Sequence, residues 1–253
     1  MNKKLVIGNW KENPSSVDDA KRIAGKTRAA AGLLERVQAV VCPPFPFIPV
    51  AVPRKPSANY AVGAQSVSRE EGGAHTGQVS AAMLRSLGLG FVIVGHSEER
   101  AAGDTDGAVS AKASRALEAG LTAVLCVGEQ SRDESGSHFD FVRNEIKASL
   151  AGIPAEKARH IVLAYEPIWA IGAKEPMAPA DIHEMSIFVK KAFADVFGAE
   201  VAMKTKVLYG GAVNFRNAAE IVTTGGVDGL LVGRESVNLP GFIELLKSVD
   251  KIQ

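Results

Sequence analysis

The sequence predicts an α/β fold, a (β/α)8 barrel in a single domain spanning residues 1–253. Three observations carry that reading. Eight short runs rich in Val, Ile and Leu recur along the chain as continuous apolar stretches, the pattern of strands buried on both faces. Segments with helical spacing lie between them, so strand and helix alternate to the end. No composition break or Gly/Ser-rich linker interrupts the 253 residues. At roughly 150 residues per domain, length alone leaves one or two domains open; eight β/α units with no break resolve it to one. A doubly wound open sheet shares the alternation, but no GxGxxG opens the first helix.

The elements follow in order. Leu5–Gly8 is the first strand. Ser15 or Ser16 caps a helix over Ser16–Ala31, with Val17, Ala20, Ile23, Ala24 and Thr27 on one face. Ala39–Cys42 is the second strand. The run Cys42-Pro43-Pro44-Phe45-Pro46-Phe47-Ile48-Pro49 then reads as a rigid loop, because proline cannot continue a ladder. Tyr60–Gly63 and Phe91–Gly95 are the third and fourth strands. A helix over Thr105–Ala119 presents Val109, Lys112, Ala113, Ala116 and Leu117 and stops at Gly120. Ala123–Val127, Ile161–Tyr165, Lys206–Tyr209 and Gly229–Val232 are the remaining strands. They are followed by helices over Phe139–Leu150, Ala180–Phe197, Asn214–Thr223 and Gly241–Val249.

Composition narrows the function classes. Hydrophobic residues are 46% and charged residues 23%, which excludes a disordered or fibrous chain. Lys+Arg 29 against Asp+Glu 28 gives a net charge of +1, so no global field recruits nucleic acid or an anionic membrane. Two cysteines, Cys42 and Cys126, exclude a disulfide scaffold, fit a reducing compartment and read as small buried side chains. The start Met1-Asn2-Lys3-Lys4-Leu5-Val6-Ile7-Gly8 is neither a signal peptide nor a membrane span. The expectation is a cytoplasmic protein with no nucleic-acid or membrane partner.

In such a barrel, chemistry sits at the carboxyl ends of the strands. There the chain places Asn9-Trp10-Lys11, His96-Ser97-Glu98, Cys126-Val127-Gly128-Glu129, Glu166-Pro167, Gly210-Gly211-Ala212 and Gly233-Arg234. Each has a structural reading of its own: a surface lysine, a buried histidine, a turn residue, a tight glycine turn. Together they form a chemically complete set. A carboxylate can take a proton from carbon beside a carbonyl, while imidazole and ammonium groups stabilise the resulting enediolate oxygen. The glycine turns after the seventh and eighth strands expose backbone N–H groups to a phosphate. No metal-ligand spacing appears, so neither metal nor cofactor is expected. The residues alone point to proton abstraction on a small phosphorylated carbonyl compound.

The blocks Gly8-Asn9-Trp10-Lys11, Gly95-His96-Ser97-Glu98, Cys126-Val127-Gly128-Glu129, Ala164-Tyr165-Glu166-Pro167-Ile168-Trp169-Ala170-Ile171-Gly172 and Tyr209-Gly210-Gly211-Ala212-Val213-Asn214 resemble the signature blocks of the triosephosphate isomerase family, in its order and spacing. The resemblance implies a single-domain TIM barrel. It implies an aldose–ketose isomerase of glycolysis and gluconeogenesis that interconverts D-glyceraldehyde 3-phosphate and dihydroxyacetone phosphate. It makes Glu166 the proton shuttle, a neutral His96 the electrophile and Lys11 the fixed charge. Asn9 becomes a donor to the oxyanion, and Glu98 orients Lys11 or its surroundings. Gly172, Ala212, Gly233 and Arg234 offer N–H groups to the phosphate. Pro167, Ile168, Trp169, Ala173, Lys174, Glu175, Pro176 and Met177 belong to a lid, with Tyr209 a latch for the backbone near Met177. The segment Gln65–Met83, with Gln65, His75 and Thr76, implies a loop that reaches a second subunit, hence a homodimer; the alternative is a surface loop without fixed structure.

Several positions depart from the family pattern. Glu12 replaces a methionine and is expected at the interface or rim. Glu99 replaces an arginine, which is expected to remove one local ion pair. The lid tip reads Gly172-Ala173-Lys174-Glu175-Pro176-Met177 in place of Gly-Thr-Gly-Lys-Thr-Ala, and Ala212 replaces the serine whose hydroxyl helps hold the lid, so that latch is absent. Arg234 replaces a glycine, leaving its side chain either along the rim or beside the phosphate. The altered lid and Arg234 leave room for a four-carbon sugar phosphate. A non-catalytic barrel is expected to have lost one of Asn9, Lys11, His96 or Glu166, and none is lost.

Overall fold

A computed structural model describes residues 3–173 and 177–252. Eight parallel strands close into a barrel in chain order: β1 (Lys4–Asn9), β2 (Val37–Cys42), β3 (Tyr60–Ala64), β4 (Phe91–Val94), β5 (Thr122–Val127), β6 (Ile161–Tyr165), β7 (Val207–Tyr209) and β8 (Gly229–Val232). Closure comes from β1, which pairs Lys4 with Val37 on one side and Leu5 with Gly229 on the other. The continuous apolar runs have a direct cause. Along β1, Leu5 and Ile7 point into the barrel with Val40, Val124 and Leu231, whereas Val6 points outward into the layer between sheet and helices. Both faces are buried over Leu5–Ile7, so none of those positions favours a polar residue.

Among the described residues, ten α-helices flank the barrel: α1 (Val17–Ala31), α2 (Ile48–Ala51), α3 (Ala81–Ser86), α4 (Ser97–Ala101), α5 (Asp106–Glu118), α6 (Ser137–Ser149), α7 (Pro179–Phe197), α8 (Ala199–Lys204), α9 (Ala218–Thr223) and α10 (Leu239–Asp250). Ser16 caps α1, its hydroxyl accepting the Asp19 N–H at 3.1 Å. The buried stripe of α1 is Ala20, Ile23, Ala24, Thr27 and Ala31. Val17, expected on that stripe, is instead 52% exposed at the first position of the helix.

The proline-rich run after β2 is not all loop. Phe45–Phe47 forms a 3-10 turn that continues into α2, with Pro46 and Pro49 in the first turns, where a missing N–H costs nothing. The last residues of the Gln65–Met83 segment likewise belong to a helix, α3, capped by Ser80. Both short helices lack enough turns to show a 3.6-residue period. The expected Asn214–Thr223 helix starts only at Ala218. Its first residues are taken by turns in which Asn217 Oδ1 accepts the Asn214 N–H at 2.9 Å and Asn214 Oδ1 accepts the Arg216 N–H at 2.8 Å.

Glu99 corrects a further expectation. It has not simply lost a partner: it pairs with Lys112 of α5 at 2.9 Å and accepts the Ser66 hydroxyl at 2.7 Å. Lys112, on the buried face of α5, is also held by Asp104 at 2.6 Å. Burial raises the Glu99 carboxyl, but the bonds from Ser66 and Lys112 outweigh it and leave its pKa lowered. A lysine that is 9% exposed needs such partners, since an uncompensated buried charge costs several kcal/mol, roughly 3–5. The charge reversal at Glu99 therefore builds an ion pair between α4 and α5.

Candidate active site

The chemical residues converge at the carboxyl ends of the strands. Asn9 ends β1 and is 5% exposed; its side-chain oxygen accepts the Lys11 N–H at 3.0 Å. That bond holds Lys11 at φ +52, a left-handed conformation costing a non-glycine residue on the order of 1–3 kcal/mol. Gln65 Nε2 reinforces it by donating to the Lys11 carbonyl at 2.8 Å and the Cys42 carbonyl at 2.9 Å. The sequence placed Gln65 on a subunit-bridging loop, yet its amide is spent inside the chain on the backbone of Lys11. The Lys11 ammonium is ion-paired with the exposed Glu98 carboxylate.

His96 follows β4 and caps α4. Its Nδ1 accepts the Glu98 N–H at 3.2 Å, which requires an unprotonated Nδ1 and leaves Nε2 to carry the proton of a neutral ring. Nε2 lies 3.4 Å from Glu166 Oε1.

Glu166 is 3% exposed. Its backbone N–H donates to the Val127 carbonyl at 2.8 Å, and its Oε2 accepts the Ser97 N–H at 3.4 Å. Two glycines make room for it. A Cβ at Gly128 would meet the Glu166 carbonyl oxygen at 2.0 Å, and one at Gly210 would meet Glu166 Cγ at 2.7 Å. Burial raises the Glu166 carboxyl above the ordinary carboxylate value, with the Ser97 N–H and the Lys11 charge among the opposing influences. The Cys126 thiol, read from sequence as a buried hydrophobe, is buried and pushed up, first by desolvation and then by Glu166. Beneath Gly128, whose N–H it accepts at 2.8 Å, the buried Glu145 carboxyl is pushed up to about 7 by desolvation.

These groups open on one cavity of about 550 Å3. Asn9, Lys11, His96, Glu98 and Glu166 line it together with Gly172, Ala173, the Gly210–Asn214 turn, Gly233 and Arg234. Arg234 opens a single 3-10 turn, Arg234–Val237. Its side chain is exposed at the cavity rim and makes no ion pair among the described residues. Asn217 Nδ2 donates to the Ala212 carbonyl at 3.2 Å and so fixes the glycine turn; its place three residues past Asn214 was the only sequence signal for it.

Of the lid residues, Pro167, Ile168, Trp169, Ala173 and Met177 are described, whereas Lys174, Glu175 and Pro176 lie outside the described residues. Ile168–Ala170 makes a 3-10 turn. The Met177 N–H donates to the Tyr209 hydroxyl at 3.3 Å, the contact expected of a latch. Glu129 had no role assigned from sequence. Its carboxylate is buried and accepts from Tyr165, Arg132 and the Trp169 indole. His75 and Thr76 are exposed in a loop closed at its base by the Ser68 N–H donating to the Val79 carbonyl at 2.8 Å. Glu12 is exposed and does not line the cavity. Among the described residues, no group of three or more His, Cys, Asp and Glu side chains could hold a metal ion.

A family model described as triosephosphate isomerase matches residues 4–249. The chain belongs to the triosephosphate isomerase family. Curated relatives agree along the whole length. Triosephosphate isomerase of Thermus thermophilus is 39% identical over 98% of this chain and 99% of its own. That of Alkalilimnicola ehrlichii is 40% identical over 98% and 99%, and that of Flavobacterium johnsoniae 36% over 98% and 100%. Ala173, Ala212 and Arg234 depart from the triosephosphate isomerase family pattern and line the cavity.

Proposed function

We propose that the chain interconverts D-glyceraldehyde 3-phosphate and dihydroxyacetone phosphate, with Glu166 as the base. The observation that carries this is a buried carboxylate of raised pKa set 3.4 Å from the Nε2 of a neutral imidazole, on the cavity that Lys11 also lines. Glu166 takes a proton from the carbon beside the carbonyl and returns it to the neighbouring carbon. His96 Nε2–H and the Asn9 amide serve the enediolate oxygens, and Lys11 supplies a fixed positive charge that needs no rearrangement as charge develops. The N–H groups of Gly172, Ala212, Gly233 and Arg234 hold the phosphate. The segment from Pro167 to Met177 acts as the lid that keeps water from the enediolate. Main-chain donors are well suited to this task, because an anion on several N–H groups needs little further charge.

We also read the chain as a cytoplasmic homodimer with the loop around His75 and Thr76 in the interface. No helix among the described residues is long and apolar enough to cross a membrane. The exposed loop is compatible with an intersubunit contact, and the inward-turned Gln65 gives Lys11 a fixed backbone beside it. Glu166→Gln tests the central assignment. It should abolish nearly all turnover, by about 1,000-fold or more, with the fold and solution mass unchanged. Substantial surviving activity contradicts it, and a parent mass of 26.6 kDa in place of twice that value contradicts the dimer.

A further inference from the structure

Arg132 lies in the loop between β5 and α6, does not line the catalytic cavity, and has no part in the isomerisation as derived. Its guanidinium nevertheless gathers four residues around the chain that follows Glu166. Nε donates to Glu129 Oε1 at 2.8 Å. Nη2 donates to the Tyr165 hydroxyl at 2.9 Å and lies 3.8 Å from the Met177 sulfur. The guanidinium carbon stands 5.7 Å from the centre of the Trp169 ring. Tyr165 directly precedes Glu166, Trp169 follows it by three residues, and Met177 is where the described chain resumes.

Glu129 is the shared acceptor at the centre. Besides Arg132, it takes the Tyr165 hydroxyl at 2.8 Å and the Trp169 indole N–H at 3.0 Å. Its side chain is 2% exposed, and Arg132 is the only cation within ion-pair distance of it among the described residues. Removing the guanidinium leaves a buried carboxylate without a counter-charge and frees one face of Trp169.

The base itself does not depend on this cluster. Glu166 is anchored by its own N–H on Val127 and by the close approach of Gly128. The strip that follows has weaker ties: the Ile168 N–H donates to the Glu129 carbonyl at 2.9 Å, and the next bonds are internal to its 3-10 turn. That strip leads to Gly172 at the cavity wall.

We propose that Arg132 is a positioning residue that pins the Trp169–Gly172 strip through Glu129 and Trp169, and so places the Gly172 N–H for the phosphate without touching Glu166, His96 or Lys11. The inference rests on the reading of Gly172 as a phosphate donor. Arg132→Leu and Arg132→Lys, assayed on D-glyceraldehyde 3-phosphate and on unphosphorylated D-glyceraldehyde, separate phosphate binding from proton transfer. Arg132→Leu should lower kcat/KM for the phosphorylated substrate by about tenfold or more, with the unphosphorylated substrate changed by less than about twofold. Arg132→Lys, which restores a charge on Glu129 but not the planar contact with Trp169, should fall between. Trp169 emission should shift in both variants, the only other tryptophan, Trp10, being buried. Equal losses on both substrates, or no loss on either, overturn the proposal. Should the leucine variant fail to fold, the lysine variant carries the same comparison. A parent protein inactive on the phosphorylated substrate defeats the functional reading instead.

Discussion

Glu166 combines two demands that pull against each other. A base must be ionised to accept a proton, yet a carboxylate in water is too weak a base to take one from carbon. Burial at 3% exposure raises its proton affinity, while the Ser97 N–H and Lys11 keep the ionised form within reach. The sign for activity follows. The carboxyl must be deprotonated, so kcat/KM falls as pH drops through its raised pKa. The acid limb should therefore lie above the ordinary carboxylate value of 4.5. A pH profile of kcat/KM, corrected for the substrate phosphate near pH 6, checks it, and a limb at or below 4.5 contradicts it. At this scale the sequence was informative about chemistry and silent about support. Asn9, Lys11, His96 and Glu166 stood out because their residue types complete one reaction at strand ends. Gln65, Glu129 and Asn217 act through amide or carboxylate bonds to backbone and side chains distant in sequence, and such pairings leave no local pattern.

At the scale of elements, burial and length decide which boundaries the sequence shows. Strands buried on both faces announce themselves as apolar runs, and all eight appear within one or two residues of their observed ends. Helices of four to six residues, such as α2, α3 and α4, show too little periodicity to be seen. Ala212 brings a methyl group where the family pattern has a hydroxyl; on the proposed reading of Pro167–Met177 as a lid, the Tyr209 contact to Met177 remains and the serine contact is absent. A lost hydrogen bond of this kind is worth about 1 kcal/mol. Ala212→Ser should therefore tighten a phosphate-like inhibitor by up to about fivefold and alter turnover, read by inhibition constants and steady-state rates. Unchanged affinity and turnover would show that the missing hydroxyl carries no weight in this chain.

At the scale of the whole molecule, closure of the barrel organises everything else. Eight strands in chain order bring residues from β1, β4, β6, β7 and β8 to one rim, over distances in sequence of up to 225 residues between Asn9 and Arg234. A net charge of +1 gives the molecule no field to recruit a phosphorylated substrate. On the proposed function, recruitment is left to the groups at that rim: Lys11, which is tied to Glu98, Arg234, which has no ion pair among the described residues, and the N–H groups of the glycine turns. In the proposed reaction Glu166 moves a proton through an enediolate at this rim. Turnover of D-glyceraldehyde 3-phosphate by the purified chain in D2O, followed by NMR, tests this. The expected product is dihydroxyacetone phosphate carrying solvent deuterium at C1, because a proton held on a carboxylate exchanges with water. No isomerisation, or product formed without any deuterium, would contradict it.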